Sequence, residues 1–275
     1  MRVVLGDHPH TRLLRDGTVP LRGADYLDCR PLYPAFARMV RNLEFDVCEM
    51  ALATYLQARE AGIPITLLPV VLVGGTHHRS LTRLPDSPQI SPAELVGQRV
   101  GVRSYSQTTG LWVRGILREE YNVQASDVTW VTTEDPHVPQ YRSPANILRS
   151  DAATVADLLH AGEVRAAVLG PRAIGGQGRG LVPLIADATA AADAWIERHR
   201  TVPVNHLVVV RNDALDAAPA VYRALAQAID ATRRDDSPAG RVVSAGWSDE
   251  LAAALRIAGQ YALEQELVRT PVDVA

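Results

Sequence analysis

Phe45-Asp46-Val47-Cys48-Glu49-Met50, running on through Ala51–Ala61 to Gly62, decides the fold class. Phe45–Cys48 reads as a short buried strand that stops on a carboxylate and turns at once into a helix. Met50, Ala51, Ala53, Thr54 and Ala58 suit that helix, and Glu60-Ala61-Gly62 is an ordinary exit from one. Glu49 then falls where a parallel strand hands over to a helix, the edge at which open α/β sheets bind ligands. A carboxylate is also favoured there by the helix dipole, so position alone leaves a functional and a structural role both open.

Outward from this stretch, strand and helix signals alternate. Arg2–Leu5 reads as a strand, Thr11–Arg15 as a short helix closed by Asp16-Gly17, Tyr26–Cys29 as a strand and Ala35–Arg41 as a helix. An apolar run, Ile65–Val73, ends in Gly74-Gly75. Such alternation means βα units and a mostly parallel sheet. Loop chemistry at residues 80–95 interrupts it, and a second series follows. Its members are Gln98–Val102, a helix over Thr108–Glu120, Val128–Val131, a helix over Ala153–His160 and a buried strand at Ala166–Leu169. The Gly-rich stretch Arg172–Gly180 lacks the following helix that a dinucleotide fingerprint needs. Ala186–Ala194 reads as a helix and Val202–Val210 as a long extended run, with helices over Ala217–Arg233 and Trp247–Leu267 after it. The pattern predicts two lobes joined by crossing strands: residues 1–79 and 204–275 in the first, 80–203 in the second.

The 275 residues can bury a real core, and 47% hydrophobic with 21% charged residues is a globular composition. A net charge of −3 gives no reason to expect nucleic acid or a membrane surface as partner. No window approaches the roughly 18 apolar residues of a membrane span. Met1–Asp7 reads as a first strand rather than a secretory h-region, so a cytoplasmic location is expected. Cys29 and Cys48 make neither a disulfide framework nor a zinc motif. The chain contains no lysine; its 28 basic residues are all arginine. Schiff-base chemistry, pyridoxal phosphate anchoring and a P-loop each need a lysine and are excluded.

Five stretches in order resemble the 4,5-dihydroxyphthalate decarboxylases. They are Gly6-Asp7 with Thr11-Arg12 and Leu14–Gly17; Arg38-Met39-Val40 leading to Phe45–Tyr55; and Leu68-Pro69-Val70 through His77-His78. Val100–Tyr121, containing Trp112–Leu117, is the most specific, and Pro203-Val204-Asn205-His206 completes the set. Trp195–Arg200 departs from the acidic, paired-aromatic pattern usual before the last stretch. The resemblance implies a two-lobed α/β fold of the type II periplasmic-binding-protein kind, similar to nitrate/taurine-type solute-binding proteins, with the ligand cleft between the lobes. It implies a cofactor-independent carboxy-lyase of aromatic catabolism acting on a hydroxylated aromatic carboxylate. A non-catalytic solute receptor is the rival, because one scaffold serves both uses. A cofactor-free lyase or synthase of quinone biosynthesis ranks below it for want of motifs. The expected partner is a small aromatic or polycarboxylic ligand; homo-oligomerisation stays open.

Within that frame, the catalytic candidates are Glu49, His78 and His206, each as proton donor or phenol activator. Burial is expected to raise the Glu49 carboxyl toward neutrality and make it a usable acid. Arg103, Ser104, Tyr105, Ser106, Thr108 and Thr109 follow a strand and open a helix, where free N–H groups and hydroxyls bind anions and Arg103 could clamp a carboxylate. The alternative is a Ser/Thr cap with a solvated arginine. Tyr55 and Tyr105 could supply phenolic hydrogen bonds. Adjacent residues on a strand point to opposite faces, so at most one of His77 and His78 is expected to face the cleft. Asp7 and His10 share the carboxyl edge of strand one. His137 reads as solvated, His8, His160 and His199 carry little signal, and Trp112 reads as core. No His-x-x-x-His pair is present, so no metal is expected, with a divalent cation on the histidines as the lesser alternative.

Overall fold

Residues 1–170, 174, 176, 178–233 and 242–273 are described by the computed structural model. The Gly-rich stretch read at 172–180 lies in part outside them. The chain opens with β1 (Arg2–Val4), α1 (Pro9–Arg15), β2 (Asp25–Tyr26), α2 (Tyr33–Asn42), β3 (Val47–Ala51), α3 (Leu52–Glu60) and β4 (Ile65–Gly74). It continues with β5 (Leu81–Arg83), β6 (Arg99–Val102), α4 (Thr108–Tyr121), β7 (Thr129–Thr132), β8 (Ile147–Arg149), α5 (Val155–His160), β9 (Ala166–Val168) and β10 (Val182–Pro183). It ends with α6 (Ala188–His199), β11 (Val204–Arg211), α7 (Ala218–Thr232), β12 (Ser244–Ala245) and α8 (Asp249–Glu264).

These strands form two six-stranded sheets, ordered β12-β4-β11-β3-β1-β2 and β10-β5-β9-β6-β7-β8. Both are mixed: β2, β1 and β3 run parallel, as do β9, β6, β7 and β8, and the remaining ladders are antiparallel. No helix among the described residues is long and apolar enough to cross a membrane.

The chain passes from the first sheet to the second after β4 and returns before β11. The two passages are tied together where the Gly75 N–H donates to the Pro203 carbonyl at 2.9 Å. Gly75 adopts φ +148°, which a side chain would rarely tolerate. Its neighbour Gly74 leaves no room either, since a Cβ there would lie 2.8 Å from that same carbonyl oxygen.

One apolar core reaches from the first sheet into the second through α3, α4 and α8. Trp112 of α4 is fully buried, edge-on to Trp195 and Tyr261. Arg114, also buried, binds the tail after α8: its Nε donates to Gln265 Oε1 at 2.7 Å and its Nη2 to the Tyr105 carbonyl at 2.7 Å. The C-terminal helix thus packs on the second sheet's main helix and on α3 together.

β3 is the strand that positions the site, and it differs from its sequence reading. It runs through Glu49 to Ala51 rather than ending at Cys48. β1 stops at Val4, opposite Cys48, but on the other side β11 continues the ladder, pairing Val208 with Glu49 and His206 with Ala51. Glu49 therefore sits in a strand, just past the carboxyl end of its parallel neighbour, and not at a helix N-terminus.

Candidate active site

A cavity of about 880 Å³ lies between the sheets, within the usual size range of small-molecule pockets. Its first-sheet wall includes His8, His10, Phe36, Glu49, Thr54, Asn205 and His206, and its second-sheet wall Arg103, Ser106, Gln107, Thr108, Thr109 and His137.

Glu49 has no exposed surface and is surrounded by donors. The Gly6 N–H donates to its Oε2 at 2.7 Å, His8 Nε2 lies 3.0 Å from the same oxygen, and His206 Nδ1 lies 2.6 Å from Oε1. Gly6 makes the approach feasible, because a Cβ at that position would come within 2.6 Å of His8 Nε2 and 2.9 Å of Glu49 Oε2. Burial alone would raise this carboxyl, but hydrogen bonds from His206 and His8 and the attraction of both rings outweigh it. Glu49 is held well below the ordinary carboxylate range. The expectation of a protonated Glu49 acting as acid is corrected: it is an ionised acceptor.

An ionised carboxylate only accepts, so each imidazole turns an N–H toward it. The second ring nitrogens, Nδ1 of His8 and Nε2 of His206, are the ones not turned to Glu49. His206 also meets Phe36 edge-on, with ring centroids 5.2 Å apart. His10 stacks on His8 at 5.2 Å, and its buried Nε2 has no partner among the described residues. Burial, and then neighbouring His8, brings His10 from 6.5 to about 4, so it is neutral near pH 7.

On the opposite wall, Gln107 starts α4 without a side-chain cap, which leaves first-turn amides available to an anion. Ser106 and Thr109 line the cavity beside them. Thr108 does too, yet its Oγ1 already accepts the Ala53 N–H at 3.1 Å and so caps α3 from across the cleft. Arg103 reaches the cavity while stacked on Tyr33, 4.3 Å from guanidinium carbon to ring centre, and paired with Glu134. His137 lines the cavity as well. Its Nδ1 is 2.9 Å from Thr54 Oγ1, and Arg41 donates to the carbonyls of Pro136 and His137 at 2.8 Å each. Burial, reinforced by Arg103 and Arg41, lowers His137 to about 4.

Of the residues singled out from sequence, Glu49, His206, His10, Arg103, Ser106, Thr108 and Thr109 meet at this cavity. The others do not line it. His78 is buried behind α4, 3.3 Å from Glu120, because the short helical turn after His77 carries it away from the cleft. His77 stands one layer back, bonded to Asn205. Tyr55, one position after the cavity residue Thr54, is rotated into the core. Tyr105 is core as well, its hydroxyl donating to the Gln265 carbonyl at 3.0 Å. Ser104 bonds Ser106 at 3.2 Å, and Asp7 turns outward to Arg12.

Sequence reasoning misses His8, Thr54, His137 and Asn205. His8 was within reach, since the edge argument that selects Asp7 and His10 covers the residue between them. His137 arrives on a polar loop with no periodic signal at all.

No protein-family model matches the chain. It is 32% identical to the 4,5-dihydroxyphthalate decarboxylase of Comamonas testosteroni over 94% of this chain and 84% of that one. It is also 32% identical to the enzyme of the same name from Pseudomonas putida, over 63% of this chain and 70% of the other. Among solved structures, the periplasmic sulfonate-binding protein of Methylobacillus flagellatus superposes with a TM-score of 0.67 at 16% identity, covering 99% of this chain and 89% of that one. That match carries the two-lobed binding-protein fold.

Proposed function

The chain belongs to the 4,5-dihydroxyphthalate decarboxylase family and is a carboxy-lyase, and from that premise we propose that it removes one carboxylate from a dihydroxylated phthalate without a cofactor, as a cytoplasmic step in aromatic catabolism. The observation that carries the residue assignment is the pair of imidazoles on one buried carboxylate, His8 and His206 on Glu49.

The ring supplies its own electron source. A base takes the proton of the hydroxyl para to the leaving carboxylate, and the oxygen's electrons move through the ring to the carboxylate-bearing carbon. That carbon accepts a proton from an acid. The bond to the carboxylate then breaks, its electrons restore the aromatic sextet, and carbon dioxide departs. The phenolate recovers its proton, so the turnover consumes one proton overall.

In this reading His8 serves the hydroxyl and His206 protonates the carbon. The assignment follows access: the consumed proton must come from solvent, and the His206 side chain is 27% exposed against 9% for His8. Glu49 fixes both tautomers and stabilises whichever ring is charged, as an orienting carboxylate does for a catalytic imidazole. The α4 start, Ser106, Thr109 and Arg103 would anchor the carboxylate that stays. Closure about the paired passages near Gly75 and Pro203 would exclude water.

The test is carbon dioxide release from 4,5-dihydroxyphthalate and related dihydroxybenzoates, with and without chelator. Release indifferent to chelator is expected. Loss under chelator would show a metal-dependent enzyme, and tight binding without release would make the protein a receptor instead.

A further inference from the structure

Neighbours on a strand point to opposite faces, yet Asn205 and His206 both line the cavity. The β4–β11 ladder accounts for this. Its register shifts between Val204 and His206 and again on either side of Leu207, the irregularity by which a bulge re-aims side chains. The distortion places a primary amide next to the imidazole assigned to carbon protonation.

Behind that amide stands His77, buried at 2% exposure, with Nε2 2.8 Å from Asn205 Oδ1. Burial lowers His77 from 6.5 to about 4, with the bond to Asn205 opposing the shift, so the ring is neutral and carries one N–H. Its Nδ1 has no partner among the described residues, which leaves Nε2 as the nitrogen that donates to Oδ1. The Asn205 amide is thereby held with its oxygen toward His77 and its NH2 free for the cavity.

We propose that Asn205, oriented by His77, is the hydrogen-bond donor to the departing carboxylate. The inference rests on the carboxy-lyase reading and adds how the enzyme tells its two carboxylates apart. A leaving carboxylate loses its negative charge as it becomes carbon dioxide. A cation there would stabilise the ground state more than the transition state and slow the reaction. A neutral amide orients the group against His206 and opposes its departure less. Arg103 and the start of α4 lie on the other wall, where the carboxylate that remains can keep its charge; the arginine on the first-sheet side, Arg233 at the end of α7, is paired with Asp230 at 3.8 Å.

Binding and turnover separate this inference from the reading beneath it. Loss of one carboxylate converts 4,5-dihydroxyphthalate into 3,4-dihydroxybenzoate, which lacks the group Asn205 would hold. Calorimetry on Asn205→Ala should show about tenfold weaker binding of the dicarboxylate, with 3,4-dihydroxybenzoate within about twofold of the parent. The variant's kcat should fall about 100-fold, more than its KM rises, because orientation is lost. His77→Phe should follow Asn205→Ala, and His77→Gln, which can still donate to Oδ1, should recover most of the rate. Equal weakening of both ligands by Asn205→Ala, or unchanged binding of the dicarboxylate, overturns the assignment even if the protein releases no carbon dioxide. A His77→Gln variant as slow as His77→Phe, with both folded by circular dichroism, removes His77 from it.

Discussion

A carboxylate with no exposed surface survives as an anion at Glu49 because three donors replace its water: one backbone amide and two imidazoles. Glu49→Gln keeps the shape and removes the charge. One amide end must then face an imidazole N–H with its own N–H, so at least one ring loses its tautomer. The variant should lose at least about 100-fold in kcat while binding 3,4-dihydroxybenzoate within about threefold of the parent. A Glu49→Gln enzyme that kept its turnover would take the carboxylate out of the mechanism. Sequence alone could place Glu49 at a ligand edge but could not give the sign of its pKa. Burial pushes the group one way and its partners the other, and those partners come from residues 41 positions before it and 157 positions after it. His206 was legible from its strand; Asn205 beside it was not, because strand alternation argues against two adjacent residues sharing a face and only the bulge allows it.

Among the elements, the 14-residue helix α4 was readable almost to its ends, and β11 was readable because its apolar run is long. The short strands β5, β8, β10 and β12 have two or three residues each, too few to show a period. Nor does any pattern in α8 announce its partner. Packing against α4 is set at Gly115, where an added Cβ would stand 2.0 Å from the Tyr261 ring. Helix propensity favours alanine over glycine by about 1 kcal/mol, but a buried ring that cannot yield costs about 1–3 kcal/mol or more. Gly115→Ala should therefore lower the urea midpoint. Gly259→Ala, on α8 with open space around its Cβ, should raise it by the propensity alone. Matching signs for the two variants would mean that the α4–α8 contact is looser than described.

At the scale of the whole molecule, a core continuous from one sheet to the other predicts one cooperative unfolding transition for both lobes. Its stability should fall with acid. His10, His77 and His137 are each lowered from 6.5 to about 4, so between those values the unfolded chain binds protons that the folded protein does not. Stability then rises with pH across that window, on the order of 1 kcal/mol per pH unit for each ring. Glu49, depressed rather than raised, adds stability above the ordinary carboxylate range and loses it as pH falls below that. Urea midpoints should drop steadily from pH 7 to pH 5 in a single transition; two transitions, or a flat midpoint, would contradict the shared core or the neutral rings. The order of the strands has a further consequence for synthesis. The second sheet is encoded without interruption from residue 81 to residue 183, whereas the first waits for β11 to fill the gap between β3 and β4. On a ribosome, the half translated later is the one able to close first, and the half translated earlier must keep its open sheet edges shielded until Val204–Arg211 has been made.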